Sequence, residues 1–419
     1  MPCAKPFDIS KREVWEAFKR VKANHGAAGV DGQSITEFEA RLGDNLYKLW
    51  NRLSSGSYLP PPVRRVNIPK ADGGLRPLGI PTVADRVAQE VVRCRLEPLL
   101  EPKFHRDSYG YRPGRSAIDA IRVARQRCWR ANWVLDLDIK SFFDSIDHEL
   151  LLSAVRKHAD CRWVMLYIER WLKAPVQLED GTLQPRTAGT PQGGVISPLL
   201  ANLFLHCVFD RWMDREHPGI AFERYADDII CHCRSECEAV VLRSRLEERF
   251  SSCRLTLHPA KTQVVFCKDT NRAGDYPRVS FDFLGYTFKP RLAKWPNGKF
   301  GVSFLPAASA VALKEIRRSI RLWGLQRRTD KELDDLARIY GPYVRGWVNY
   351  YSHFYKSALY PSLKVLDRHL VRWVQRKFKR FRQRPVAARA WLTGVIRRKL
   401  VLFPHWQLLH GNGRMLGAV

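Results

Sequence analysis

Arg224-Tyr225-Ala226-Asp227-Asp228-Ile229-Ile230 sets two adjacent acids between a basic–aromatic lead-in and an apolar run that continues into Cys231. The pattern predicts a strand–turn–strand hairpin over residues 221–233 with both carboxylates at its tip. Neighbouring carboxylates repel, and a divalent cation relieves a tight turn that holds two of them. Metal ions bridged by carboxylates drive in-line phosphoryl transfer. On this stretch alone an acidic surface turn is an open alternative, because Asp favours turns for its own local hydrogen bonds.

Three further stretches bear on the choice. Val134-Leu135-Asp136-Leu137-Asp138-Ile139 alternates acid and apolar residues, which predicts a strand buried on one face and followed by Phe142-Phe143-Asp144. Asp136 and Asp138 share a strand face at i, i+2. Asp138 lies nearer the strand's end and is the acid expected to reach a cleft beside the hairpin tip. Thr190-Pro191-Gln192-Gly193-Gly194-Val195-Ile196-Ser197-Pro198 reads as a glycine loop entering a helix, a place where backbone N–H groups and one polar side chain can approach a ligand. A plain helix start is the alternative. Lys70 and Arg76 flank the Gly73-Gly74 turn of a basic hairpin formed by residues 63–68 and 75–80, which also carries Arg64 and Arg65. Two cations on a flexible hairpin suit a triphosphate; a solvated charged hairpin is the other reading.

Composition narrows the partners. The chain has 419 residues, 45% of them hydrophobic, and a formal net charge of +29. Roughly 150 residues per domain gives two or three domains. Such a positive balance implies a polyanionic partner, nucleic acid before an anionic membrane surface. No run of about 18 or more apolar residues is present, and no basic start leads into an apolar leader, so no membrane role is expected. The ten cysteines lack the paired spacing of a secreted framework and read as reduced thiols. Cys231-His232-Cys233 with Cys237 could hold zinc, but a strand would send neighbours to opposite faces.

Helical spacing covers residues 9–23 (Val14, Trp15, Phe18, Val21), 35–53, 84–100, 198–212 and 236–251, with a helix also starting near Asp147 and a β region over 176–187. Beyond about residue 305 the chain is helical, and residues 341–400 hold 15 Lys/Arg against the single acid Asp367. Trp373, Phe378, Phe381 and Trp391 lie among those cations. They either stack on bases or form the apolar face of basic helices.

In order and spacing these stretches resemble the group II intron-encoded reverse transcriptase/maturase family, over nearly the whole chain. Residues 24–32 resemble the loop ahead of the fingers, Ile68-Pro69-Lys70 with residues 75–81 the fingers motif, and residues 108–116 the following block. Residues 138–144, 189–199, 225–228 and 257–262 are similar to motifs A, B, C and D. Phe283-Leu284-Gly285-Tyr286 resembles the primer grip and residues 343–351 the maturase thumb signature.

The resemblance implies an α+β right-hand polymerase. Fingers and palm with an N-terminal extension would occupy residues 1–305, a helical thumb 306–360 and a basic nucleic-acid-binding region 361–419. It implies an RNA-directed DNA polymerase with a maturase role in splicing and retrohoming. Asp138, Asp227 and Asp228 would hold two Mg²⁺, for which Mn²⁺ can substitute. Lys70 and Arg76 would hold the triphosphate of a dNTP, Gln192 its sugar, and Phe143 would exclude a 2′-OH. Lys261 would be a general acid, Phe283, Leu284, Gly285 and Tyr286 would grip the primer, and Arg376, Lys377, Lys379 and Arg380 would bind nucleic acid. Implied partners are a group II intron RNA template, a DNA primer or target, and dNTP, in the bacterial cytoplasm or nucleoid. The chain stops at Val419 without the Cys/His-rich endonuclease region of longer members, as in the compact bacterial type. The same residues leave two other functions open: a splicing cofactor with a vestigial polymerase site, and a domesticated reverse transcriptase in host defence or repair.

Overall fold

The computed structural model describes residues 5–69, 74–295 and 297–411. They form two compact units, residues 1–120 with 133–264, and residues 121–132 with 265–419.

The first unit opens with helices whose starts are set by their own side chains. Ser10 accepts from the Glu13 backbone while the Glu13 carboxylate returns to Ser10, and Ser34 and Glu37 repeat the arrangement. The resulting helix Lys11–Ala23 buries Val14, Ala17, Phe18 and Val21. Trp15, expected on that stripe, is 44% exposed because it sits one position off it. The single helix predicted over 35–53 is instead broken at Arg41 into Ile35–Ala40 and Leu42–Ser54. The Asn45 side chain donates to the Phe38 carbonyl at 2.8 Å, so a carbonyl freed by the break finds a partner.

Next comes a four-stranded sheet. Val63–Pro69 pairs antiparallel with Leu75–Ile80 and parallel with Val176–Gln177, which pairs with Leu183–Gln184. Lys70 lies outside the described residues, as do Asp72 and Gly73 of the predicted turn. Helix Val83–Leu100, which follows Leu75–Ile80 in the chain, is buried on most sides, Asp85, Gln89 and Glu90 included.

A second sheet carries the acids. Ala221–Tyr225 turns into Asp228–Cys233, which pairs on its other edge with Trp133–Asp138. Helix Glu236–Ser252 buries Ala239, Leu242, Leu246 and Phe250. Helix Ser197–Leu205 passes through a widened turn at His206–Asp210 into Arg211–Glu216, so the helix predicted over 198–212 carries a π-type bulge. The strand reading of Cys231-His232-Cys233 holds. His232 Nε2 meets Glu223 Oε2 at 2.5 Å, and both cysteines alternate to the other face.

The second unit holds a three-stranded antiparallel sheet of Phe281–Phe283, Tyr286–Lys294 and Phe300–Ala308. Five helices follow: Ala310–Leu322, Leu333–Tyr351, Tyr360–Lys377, Pro385–Arg398 and Pro404–His410. Their core joins Ile316, Leu336, Leu366, Leu370, Leu392 and Trp406. Trp373 and Phe381 belong to this core, and Phe378 and Trp391 pack against it with ring centroids 5.4 Å apart. All four aromatics therefore serve helix packing, since an apolar helix face in water must be covered. Among the described residues no helix is long and apolar enough to cross a membrane.

Candidate active site

The acidic hairpin closes through two residues, Ala226 and Asp227, with Tyr225 paired to Asp228. Ala226 has φ +57°, a conformation that a Cβ disfavours and that surrounding contacts must hold. Arg224 supplies those contacts. It is fully buried, donates twice to Asp210 at 2.7 and 2.6 Å, to Asn202 Oδ1 at 2.9 Å, and to the Ala226 carbonyl at 3.2 Å. Asn202 in turn donates to the Gly110 carbonyl at 2.6 Å. Gly110 lies so close to the hairpin that a Cβ there would stand 2.4 Å from the Ala226 nitrogen. Sequence reading noticed Arg224 as a basic lead-in and missed Asn202 and Asp210. The one available signal was polar residues inside an otherwise apolar helix.

Strand register sets Asp138 directly opposite Asp228, and directly paired residues of an antiparallel ladder point to one face. A cavity of about 690 Å³ brings together Arg76, Asp138, Phe143, Gln192, Asp227 and Lys261, all singled out from sequence. Tyr111, not singled out, also lines it. Phe142 is core, 2% exposed, while its neighbour Phe143 is half-buried.

Burial pushes the Asp227 carboxyl above its ordinary range, and the Asp138 charge adds to the rise, whereas its own backbone N–H, Arg76 and Arg224 pull it down. The Lys261 ammonium lies 3.3 Å from Asp138 Oδ2. Its turn hangs from the end of the Asp138 strand, since His258 N–H donates to the Asp138 carbonyl at 2.7 Å and Lys140 N–H to the Thr256 carbonyl at 2.9 Å. Among the described residues no three Asp, Glu, His or Cys are drawn together as a ready metal cage. The donors nonetheless fit a hard divalent cation. They are carboxylates on one strand face and hairpin tip, and a cation there would reverse the unfavourable Asp138–Asp227 coupling.

The Gln192 loop is clamped on three sides. Gly79 N–H donates to the Gln192 carbonyl at 2.8 Å, and Thr190 N–H to the Phe143 carbonyl at 2.8 Å. Gly193, at φ +119°, would push a Cβ to 2.5 Å from the Gly79 oxygen. Underneath, buried Asp85 accepts from Tyr58 (2.7 Å), Trp171 (2.7 Å) and Gln89 (2.9 Å), and the Gln89 carbonyl accepts the Ile196 N–H at 3.3 Å. Burial raises the Asp85 carboxyl to about 6 against the pull of those three donors. Periodicity showed this stretch only as a helix.

In the second unit, Phe283 and Tyr286 are fully buried, and Leu284 and Gly285 form the turn between their strands at φ +51° and +77°. The Leu284 carbonyl accepts from Tyr350 at 2.8 Å. Arg372, Arg376, Lys379 and Arg382, with Gln326 and Gln375, line a cavity of about 740 Å³. Arg380 stacks over Phe381 at 4.7 Å. Lys377, expected to bind nucleic acid, turns inward: its ammonium meets the Lys331 carbonyl at 2.8 Å, the Thr329 carbonyl at 3.2 Å and Glu332 at 2.7 Å.

Residues 68–288 match the reverse transcriptase (RNA-dependent DNA polymerase) family, and residues 313–391 match the group II intron maturase-specific domain. Protein YkfC of Escherichia coli is 35% identical over 338 residues, covering 70% of this chain and 84% of YkfC. The group II intron-encoded protein LtrA of Lactococcus lactis is 34% identical over 288 residues, covering 64% of this chain and 46% of LtrA. A COX1/OXI3 intron 1 protein of Saccharomyces cerevisiae is 32% identical over 198 residues, 47% of this chain and 24% of its own length.

Proposed function

This chain belongs to the reverse transcriptase family and carries the group II intron maturase-specific domain, and from that premise we propose that it extends a DNA primer on an RNA template with dNTP, in the service of a group II intron. The observation that carries the reading is the meeting of Arg76, Asp138, Phe143, Gln192, Asp227 and Lys261 on one cavity. Asp138, Asp227 and Asp228 would hold Mg²⁺. Two such ions, when bound, lower the pKa of the attacking hydroxyl and stabilise charge on the leaving pyrophosphate.

The protein's own groups divide the remaining work. Arg76 draws the triphosphate into the cleft, a role the sequence also gives Lys70. Gln192 sits against the nucleotide sugar, on a loop that its backbone bonds keep rigid. The Phe143 ring occupies the space a 2′-OH would need. Lys261 holds Asp138 until substrate enters, then serves as proton donor toward the pyrophosphate.

Primer extension on an RNA template tests this. Asp227→Ala with Asp228→Ala should lower the rate by about a thousandfold or more, since several kcal/mol of charge stabilisation are lost. RNA affinity should stay within about twofold, because most binding energy comes from phosphate contacts elsewhere. Wild-type protein that binds intron RNA yet extends no primer would instead make it a splicing cofactor.

A further inference from the structure

Phe143 and Gln192 face the same cavity from two segments that have little rigidity of their own. Phe143 lies on a single helical turn, Phe142–Ser145, entered through Ser141 at φ +49°. One turn of helix does not hold itself, because nucleation costs more than one hydrogen bond returns. Gln192 lies on the loop that leads into helix Ser197–Leu205. A ring that excludes one hydroxyl must keep its place to within about 0.5 Å, so other parts of the fold must fix both segments.

Backbone bonds join them first. Gly189 N–H donates to the Ile146 carbonyl at 2.7 Å, Thr190 N–H to the Phe143 carbonyl at 2.8 Å, and Asp147 bridges Ala188. Gly189, at φ +79°, packs so closely that a Cβ would stand 2.7 Å from the Phe143 oxygen and 2.8 Å from the Asp144 Cα. A side chain adds a further tie. His148 Nε2 lies 2.8 Å from the Gly189 carbonyl oxygen. A carbonyl only accepts, so Nε2 carries the proton and donates it. His148 opens helix His148–Arg156, whose start Asp147 caps by accepting the Leu150 N–H at 2.9 Å. Helical side chains lean toward the N-terminus, so the imidazole reaches past the helix end to the loop. The helix itself is anchored by buried Leu151, Leu152, Ala154 and Val155.

We infer that His148 is a positioning residue that sets the enzyme's choice of sugar. By holding the Gly189 carbonyl it keeps the Gln192 loop and the Phe143 ring at the separation that admits a 2′-deoxyribose and refuses a 2′-OH. The imidazole lies off the catalytic cavity and acts through the loop alone. The inference rests on the reading of Phe143 as the group that excludes the 2′-OH.

Single-nucleotide primer extension tests it, with kcat/KM measured for a dNTP and the matching rNTP in wild type, His148→Ala, His148→Gln and Phe143→Ala. His148→Ala should lower the dNTP-to-rNTP ratio about tenfold, the worth of one lost hydrogen bond, with kcat/KM for the rNTP rising. A merely structural lesion would lower both rates and leave their ratio alone. His148→Gln, whose amide can donate to the same carbonyl, should recover most of the ratio. If His148→Ala does not fold, His148→Phe keeps the ring and loses the donor, and the same ratio is read. An unchanged ratio in a folded variant without the donor, or a Gln variant that recovers nothing, overturns the inference. A ratio relaxed in Phe143→Ala but not in His148→Ala overturns the role of His148 alone, whereas a ratio unmoved by Phe143→Ala overturns the gate reading beneath it. A wild type that extends no primer would sink the polymerase reading and this inference together.

Discussion

Arg224 behind the acidic hairpin and Arg376 on the Tyr360–Lys377 helix are the same residue type used in opposite ways. Arg224 is 0% exposed and spends every bond on the protein, bracing a loop whose Ala226 holds an unfavourable φ. Arg376 is exposed and lines a cavity with three more cations, while the apolar side of its helix joins the core. In the first setting a cation fixes geometry. In the second it raises the local positive potential without fixing anything. Geometry is what a two-carboxylate tip demands, and potential is what a polyanion of any sequence responds to. The difference teaches that +29 of net charge is no single property. Part of the basic complement is internal scaffolding.

The largest expected effect tests the scaffolding half. Arg224→Met leaves buried Asp210 with only its weaker contact to His206 at 3.4 Å, which should cost about 3–5 kcal/mol in denaturant unfolding. Primer extension should fall with it as Ala226 loses its brace. Adding Asp210→Leu should recover a good part of the stability, since an apolar pair of similar volume replaces the ion pair. A single variant as stable as wild type would break the contrast with the exposed arginines.

Asp85 comes next, because it sharpens what burial does to charge on the same unit. Its folded carboxyl is raised to about 6, so the folded state takes up a proton that the unfolded chain has already released. The stability this supplies is present at low pH and is lost as pH rises through about 6. Between pH 4.5 and 7 the loss is roughly 2 kcal/mol. Asp85→Asn cannot titrate, and its amide would also confront the Gln89 amide that now donates to Asp85. The stability gap between wild type and Asp85→Asn should therefore be wider at pH 4.5 than at pH 7. A gap that does not vary with pH would mean that burial does not raise the Asp85 carboxyl.

The smallest effect in free energy tests the displayed half. Neutralising Arg372, Arg376 and Lys379 to Gln should flatten the log–log salt dependence of RNA affinity by roughly 2 to 3, with stability changed by less than about 0.5 kcal/mol. Lys377→Gln should do the reverse: no change in slope, and a stability loss of about 1–3 kcal/mol from its carbonyl and Glu332 bonds. If Lys377 moved the slope as much as its neighbours, the division between inward and displayed cations would collapse.

Much of the site was legible beforehand for a local reason. Adjacent acids between a basic–aromatic lead-in and an apolar run, alternation over residues 134–139 and glycines before residue 197 describe conformations the backbone adopts within a few residues, and the cavity gathers the side chains they implied. The helix over 35–53 failed as one piece because periodicity does not register a single residue such as Arg41 leaving helical φ. Trp15 failed for a related reason, as a large apolar side chain one step off the stripe satisfies a loose pattern and still faces solvent.

By itself the sequence indicated most of the strands and helices, where the acids sit on them, and a positive balance that suits a polyanionic partner. These follow from side-chain period, turn chemistry and summed charge, which need no knowledge of distant neighbours. Only the tertiary structure decided which polar groups are internal. Asp210 and Arg224 are 14 residues apart, Asp85 and Trp171 86, and Gln89 and Ile196 107. Whether a charge braces a loop, as Arg224 does, or stays displayed to solvent, as Arg376 does, depends on whether folding brings it a partner and removes its water. No local pattern records that.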